Sequence, residues 1–228
     1  LDLALWGSRT NISFNYLIKN NEDMLIFQPQ VSYSGFAFKP VNAGAVQNRG
    51  MELSGFQRIV DHQVFKWDIS SDFTFLQNEV LDIEGNKLIT EIDGGTLITR
   101  EGGPLNTFYG YKFEGVFASY EEAEKANLVN DKNLKFGAGD SKYVDLSGPD
   151  GKPDGVINKY DKVNLGSPIP EFFGSISTGI RYKRWELKMK LQYVYGNEIY
   201  NYTRYLNERM VDLSNQSNHV LKRWQKNG

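Results

Sequence analysis

Val64-Phe-Lys-Trp-Asp-Ile-Ser-Ser-Asp-Phe-Thr-Phe-Leu76 is the stretch from which the rest of the chain is read. Its odd positions are Phe65, Trp67, Ile69, Ser71, Phe73 and Phe75, and its even ones Lys66, Asp68, Ser70, Asp72 and Thr74. Successive side chains of a strand point to opposite faces, so one face here is aromatic and apolar and the other is charged. The alternation outlasts the common strand of about five or six residues and approaches the roughly nine to eleven that a tilted strand needs to cross a bilayer. A strand of a soluble sandwich alternates as well, so the segment gains weight because the pattern recurs.

It recurs along the whole chain. Residues 1–6 alternate up to a turn at Gly7-Ser8-Arg9, and residues 10–19 return with Ile12, Phe14, Tyr16 and Ile18 on one side. A strand runs from about Gln47 towards Ile59, and Asp61-His62-Gln63 turn it into the 64–76 segment. Residues 105–117 read as an aromatic strand with Phe108, Tyr109, Tyr111, Phe113 and Phe117. Residues 172–182 and 185–195 form a hairpin about Lys183-Arg184, in which Trp185, Leu187, Met189, Leu191, Tyr193 and Tyr195 oppose Glu186, Lys188, Lys190 and Gln192. Long segments separate these strands at about 20–45, 78–103, 118–170 and 196–228. They hold a turn at Glu84-Gly85-Asn86, a capping-box pattern from Ser119 to Glu122, and a helical stretch near Tyr202–Leu213.

The expectation is an all-β chain of about seven two-faced strands, with short turns alternating with long loops. Outer-membrane barrels have this asymmetry, short turns on the periplasmic side and long loops outside. Trp6, Trp67, Trp185 and Tyr195 fit interfacial aromatic girdles. Lipid offers no partner to an open sheet edge, so seven strands imply a part of a larger antiparallel transmembrane β-barrel.

Composition agrees. Apolar residues are 40%, charged residues 24%, and the net charge of −2 supplies no basic face for nucleic acid. No cysteine is present, which excludes disulfides and thiolate metal sites. No run of about 18 apolar residues marks a membrane helix, whereas alternating barrel strands keep the average hydropathy low. Leu1-Asp2-Leu3 carries no signal-peptide pattern and reads as the middle of a strand, as in an internal fragment.

Four blocks then carry a family resemblance. Gln47-Asn-Arg-Gly-Met-Glu-Leu53, Glu101-Gly-Gly-Pro-Leu-Asn-Thr-Phe-Tyr-Gly-Tyr-Lys-Phe-Glu-Gly-Val-Phe117, the loop from Tyr143 through Asp154-Gly-Val-Ile-Asn158 to Pro170, and Gln192-Tyr-Val-Tyr-Gly-Asn-Glu-Ile-Tyr-Asn201 resemble, in order, segments of the SusC/RagA-type TonB-dependent outer-membrane transporters. The resemblance spans most of residues 1–210. It implies the late part of a plugged barrel of about 22 strands, with the plug, the TonB-contacting region and the final strands outside these residues. It also implies residence in the outer membrane of a Gram-negative cell, a SusD-like surface lipoprotein as partner, the TonB complex as energy source, and a glycan or peptide cargo. The competing reading is a soluble secreted or cell-surface β-sandwich binding module, in which Trp67, Phe73, Trp185, Leu187 and Tyr193 face one another across a dry core.

The sharpest local signal is Asp154-Gly155-Val156-Ile157-Asn158-Lys159-Tyr160-Asp161, which matches the second half of a calcium loop. Glycine gives the turn, Val156 offers its carbonyl and Asp161 closes the oxygen cage. Counting back places Asp150 first but Lys152, a poor ligand, third; an insertion would recruit Asp145 and Ser147 instead. The candidate Ca²⁺ set is therefore Asp145, Asp150, Asp154, Val156, Asn158 and Asp161. The alternative is an Asp/Gly turn cluster held by side-chain-to-backbone hydrogen bonds.

His62 and His219 are the only histidines, and neither stands in an acid–base–nucleophile pattern. No nucleophile elbow, zinc helix or P-loop occurs, so the sequence gives no ground for an enzyme. Lys66, Asp68, Asp72, Glu186, Lys188 and Lys190 share the polar side and read as a hydrated wall open to a plug or cargo. Tyr33, Phe36, Phe38, Tyr109 and Tyr111 are loop aromatics that either stack on sugar rings or pack among themselves.

Overall fold

The computed structural model describes residues 1–30, 35–36 and 38–226. Two compact units emerge, one of Leu1–Ile89, Ile98–Asn106 and Ser167–Glu198, the other of Thr90–Leu97, Thr107–Gly166 and Ile199–Gly228.

The first unit is built on one six-stranded antiparallel sheet. Its strands are β1 (Asp2–Leu5), β2 (Thr10–Asn21), β5 (Ala45–Asp61), β6 (Phe65–Asp82), β15 (Phe172–Tyr182) and β16 (Trp185–Tyr195), hydrogen-bonded in that order. A small hairpin of β3 (Leu25–Pro29) and β4 (Phe38–Asn42) fills the β2–β5 connection.

The register shows why the alternating pattern is coherent. Leu3 stands beside Ile12, Ile12 beside Gly55, Gly55 beside Ser71, Ser71 beside Ile176 and Ile176 beside Leu191. One residue along, the row reads Asp2, Ser13, Ser54, Asp72, Ser175 and Gln192. Directly paired residues project from the same side of a sheet, so over the central stretch of the strands the apolar rows fall mainly on one face and the charged rows on the other, with Phe56, Phe173 and Val194 as apolar members of the charged face. Trp67, Phe73, Trp185, Leu187 and Tyr193 all belong to the apolar face of this single sheet. Among the described residues no second sheet covers this face, where Trp185 is 80% and Leu187 52% exposed, and the sandwich reading is corrected on that ground. Trp6 is 74% exposed, Trp185 80% and Leu191 67%, exposures that a water-facing surface does not carry as a continuous patch. The eleven residues of β16 rise about 3.4 Å each and, tilted by roughly 45°, span about the 25 Å height of a barrel's apolar band.

Within this sheet, short turns join β1 to β2, β5 to β6 and β15 to β16. Trp6, Gly7 and Ser8 adopt positive φ between β1 and β2, and Lys183 does so between β15 and β16. At the β5–β6 turn, His62 and Phe65 exchange backbone hydrogen bonds, and His62 Nδ1 accepts from the Val64 amide at 3.3 Å, so this histidine is a turn residue. At the far end of the sheet Val46, Val80 and Ile83 form a small core, against which Met24, Ile26, Leu88 and Leu105 pack.

The division between the units falls inside the hairpin of β7 (Lys87–Ile92) and β8 (Gly95–Arg100). The second unit then contains short elements: β9 (Thr107–Tyr111), β10 (Phe113–Val116), β11 (Val129–Asn130), β12 (Ser141–Tyr143), β13 (Val156–Ile157), β14 (Lys162–Gly166), α1 (Tyr120–Ala126) and α2 (Tyr202–Glu208). Ser119 Oγ accepts from the Glu122 amide at 3.2 Å, as the capping pattern predicts, while the Glu122 carboxylate reaches back to the Ala118 amide at 2.9 Å. Phe117 is fully buried and packs 6.2 Å from Phe136.

The 105–117 segment corrects the strand count from seven to six in the main sheet. Gly110 lies inside it, and Gly115 takes φ +139° at a register break in the pairing of β10 with β12. Glycines inside a strand loosen it and mark such breaks. The segment divides into β9, which pairs with β14, and β10, which pairs with β12.

Candidate functional site: a two-faced wall and an aspartate-rich loop

The wall is built from the register described above. Its apolar face holds few polar side-chain groups near the sheet centre, and Trp67, Thr178 and Tyr193 among them are matched. Trp67 Nε1 donates to Thr178 Oγ1 at 2.9 Å, and that hydroxyl donates to the Asp68 carbonyl at 3.2 Å. The Tyr193 hydroxyl donates to the Asp72 carbonyl at 3.1 Å, its ring passing over Gly174. An N–H or O–H left unpaired in hydrocarbon costs several kcal/mol, roughly, so internal pairing is what a lipid-facing surface requires.

The opposite face carries the charges that the sequence placed there. Arg58 Nε pairs with Asp68 at 2.9 Å, Lys66 with Asp61 at 3.2 Å, and Glu186 with both Arg181 at 3.2 Å and Lys188 at 3.3 Å. Ser175 Oγ donates to Asp72 at 2.5 Å across the β6–β15 pair. Lys190 stands opposite Ser177. These side chains are partly exposed, so their pairing contributes little to stability and leaves a hydrated, mixed-charge wall. Small residues, Ser13, Ser54, Ser70 and Ser177, leave shallow open troughs on this face rather than an enclosed pocket. Arg58 and Asp61 were missed as members of this set because they sit where the alternation breaks, at the β5 register shift between Arg58 and Val60.

In the aspartate-rich loop, the candidate metal ligands meet backbone amides. Asp161 is fully buried; one carboxylate oxygen accepts from the Leu146 and Ser147 amides at 2.8 and 3.1 Å, the other from the Asn158 amide at 2.8 Å. Asp145 accepts from the Asp154 amide at 3.3 Å and the Gly155 amide at 2.6 Å. Asp154 Oδ1 accepts from the Val156 amide at 2.9 Å, and the Val156 carbonyl accepts from Asn158 Nδ2 at 3.2 Å. Asn158 Oδ1 in turn accepts from the Tyr160 amide at 2.9 Å. Asp150 lies on the exposed turn that follows Gly148. Gly148 is required for closure: a Cβ there would lie 2.4 Å from Asp154 Oδ2. Among the described residues no three His, Cys, Asp or Glu side chains converge as a cation set.

The loop aromatics separate. Tyr33 lies outside the described residues. Phe36 and Phe38 are exposed. Tyr111 packs 5.3 Å from Tyr143 with the Lys162 ammonium 5.5 Å over its ring, and burial, followed by the negative charges of Asp131 and Asp161, raises its pKa. Tyr109 pairs with Asn164 in the β9–β14 ladder. No helix among the described residues is long and apolar enough to cross a membrane, a statement that does not bear on strands.

No protein-family model matches the chain. The TonB-dependent receptor P3 of Formosa agariphila is 31% identical over 211 residues, which cover 89% of this chain and 20% of that protein. TonB-dependent receptor P26 of the same organism is 29% identical over 208 residues, 88% of this chain and 20% of its own length. The RagAB peptide transporter superposes with a TM-score of 0.74 at 21% identity, over 99% of this chain and 24% of the transporter chain. The RagAB peptide importer in its closed-closed state gives 0.70 at 21% identity, over 91% and 21% respectively. The chain therefore spans about a fifth of the length of the curated relatives it matches, and these relatives are named as receptors and transporters, not enzymes. The chain belongs to the TonB-dependent receptors, of the SusC/RagA type that its four sequence blocks resemble, and its six-stranded sheet is a stretch of transmembrane β-barrel wall.

Proposed function

We propose that the protein to which these residues belong is an outer-membrane TonB-dependent importer of oligomeric nutrients, glycans or peptides, working with a SusD-like surface lipoprotein. In this reading the six strands supply wall, and the connections between them supply outward loops. The observation that supports it best is the pairing register, which over the central stretch of the strands gathers the apolar rows mainly on one face and the charged rows on the other. A lipid-facing surface and a hydrated lumen demand that separation. The likeness to a RagAB peptide transporter favours a peptide cargo as the first to test. The test is uptake of labelled peptide and oligosaccharide pools by cells with and without the intact gene. Loss of one pool in the deletion strain, with an equal loss when TonB is removed, is the expected result. Uptake that continues unchanged in both strains overturns the reading. Co-purification of a surface lipoprotein with the tagged protein tests the partner.

We infer further that the 145–161 loop is ordered by its own peptide groups rather than by Ca²⁺. Support comes from the carboxylates of Asp145 and Asp161, whose oxygens accept amide hydrogens and do not converge. A cation needs about six to eight oxygens directed at one point. Calcium titration of the intact protein is expected to leave amide protection in this loop unchanged. A saturable rise in protection with micromolar Ca²⁺ would restore the metal reading.

A further inference from the structure

The tip of the β7–β8 hairpin is gripped by the segment that follows β16. Three tyrosine hydroxyls converge on Asp93: Tyr200 donates to its carbonyl at 2.9 Å, Tyr202 to Oδ2 at 2.9 Å and Tyr205 to Oδ1 at 3.3 Å. The rings close on one another, Tyr202 stacked on Tyr205 at 6.1 Å and Tyr200 at 6.4 and 6.3 Å from the two. Gly94 makes the approach possible. Its φ is +78°, and a Cβ there would lie 2.4 Å from the Tyr200 hydroxyl and 2.5 Å from the Tyr205 ring.

Two features make this a discrete fastening. Both carboxylate oxygens and the carbonyl of one residue carry all three bonds, and among the described residues Asp93 has no cationic partner that would hold the tip if they broke. The same tail segment has a second attachment. Trp224 Nε1 donates to the Ala118 carbonyl at 3.2 Å, and its ring lies over Gly139, where a Cβ would come within 2.8 Å.

We propose that Asp93 with Tyr200, Tyr202 and Tyr205 is a latch, through which the β7–β8 tip and the segment at the start of α2 open and close as one piece. In sequence these loops follow different wall strands, β6 and β16, so the latch makes their movements a single event rather than two. The proposal rests on geometry within the loops and does not depend on what the protein imports.

Hydrogen–deuterium exchange on the full-length protein in detergent tests it. Asp93→Ala is expected to speed exchange about tenfold or more in peptides covering 90–97 and 199–209 together, the loss of charge-assisted bonds being felt on both sides. Peptides of β5, β6, β15 and β16, and those around Phe117, are expected to stay unchanged. Tyr202→Phe keeps the ring stack and removes one hydroxyl, so a smaller rise in the same two segments is expected even if Asp93→Ala impairs assembly. A rise confined to one segment in either variant, or no rise in either, overturns the latch.

Discussion

Gly174 shows how little room the sheet leaves at one residue. A Cβ there would lie 2.1 Å from the Asp72 carbonyl and 2.6 Å from the Tyr193 hydroxyl, so Gly174→Ala forces the backbone of two strands apart. Overpacking of this kind costs about 1–3 kcal/mol, whereas Gly179→Ala, on the opposite face of the same strand with nothing within 4 Å, is expected to change stability little. Urea unfolding of the intact protein in lipid vesicles compares the pair. Thr178→Val is expected to cost about 1–3 kcal/mol by the same measurement, because the Trp67 indole N–H loses its acceptor on the lipid-facing side. Outside the wall, Asp212 is held down to about 2 by the side chain and amide of Ser214 and then by Arg209. Its ionised form is the one with partners. Its contribution is therefore complete above its ordinary value of 3.8 and fades as pH falls through about 2. Amide exchange at Ser214 between pH 2 and 5 checks the direction: protection should weaken only at the acid end of that range.

At the scale of elements, the wall strands were legible because their signal is local. β6 was read over 64–76 from period-two alternation, and the fold extends it to Asp82 because β5 continues to pair with it as far as Ala45. Beyond Phe75 the apolar residues change faces. Leu76 and Val80 are even-numbered like the charged set, and Val80 is buried in the small core with Val46. The aromatic run at 105–117 differs: its residues are strand formers, but the ladder breaks at Lys112 and the two halves pair with different partners, β14 and β12. Faces can be tested directly. Met189→Arg, near the middle of β16 on the apolar side, is expected to cost about 2–4 kcal/mol, and Lys190→Ser on the polar side to stay within about 0.5 kcal/mol. Unfolding in vesicles of defined lipid gives both values; equal costs would contradict the face assignment.

For the whole molecule, alternation is a property of the extended backbone itself, so a reader of the chain alone sees which side chains share a face and that one face is too apolar for water. That much fixes all-β, two-faced strands whose short turns and long loops suit an outer-membrane barrel; that these strands join one sheet with its apolar side uncovered, rather than two sheets facing each other, was decided by the tertiary pairing. What the loops do was decided only in three dimensions. Asp161 lies beside Leu146, and Tyr200 beside Asp93, because separate stretches of chain come back together, and no local periodicity records such returns. The calcium-like spacing at 154–161 was visible in one dimension; that its carboxylates turn towards amides rather than towards a common point depends on where the Leu146 and Ser147 peptides arrive. Local backbone geometry set the faces, and long-range chain return set the partners.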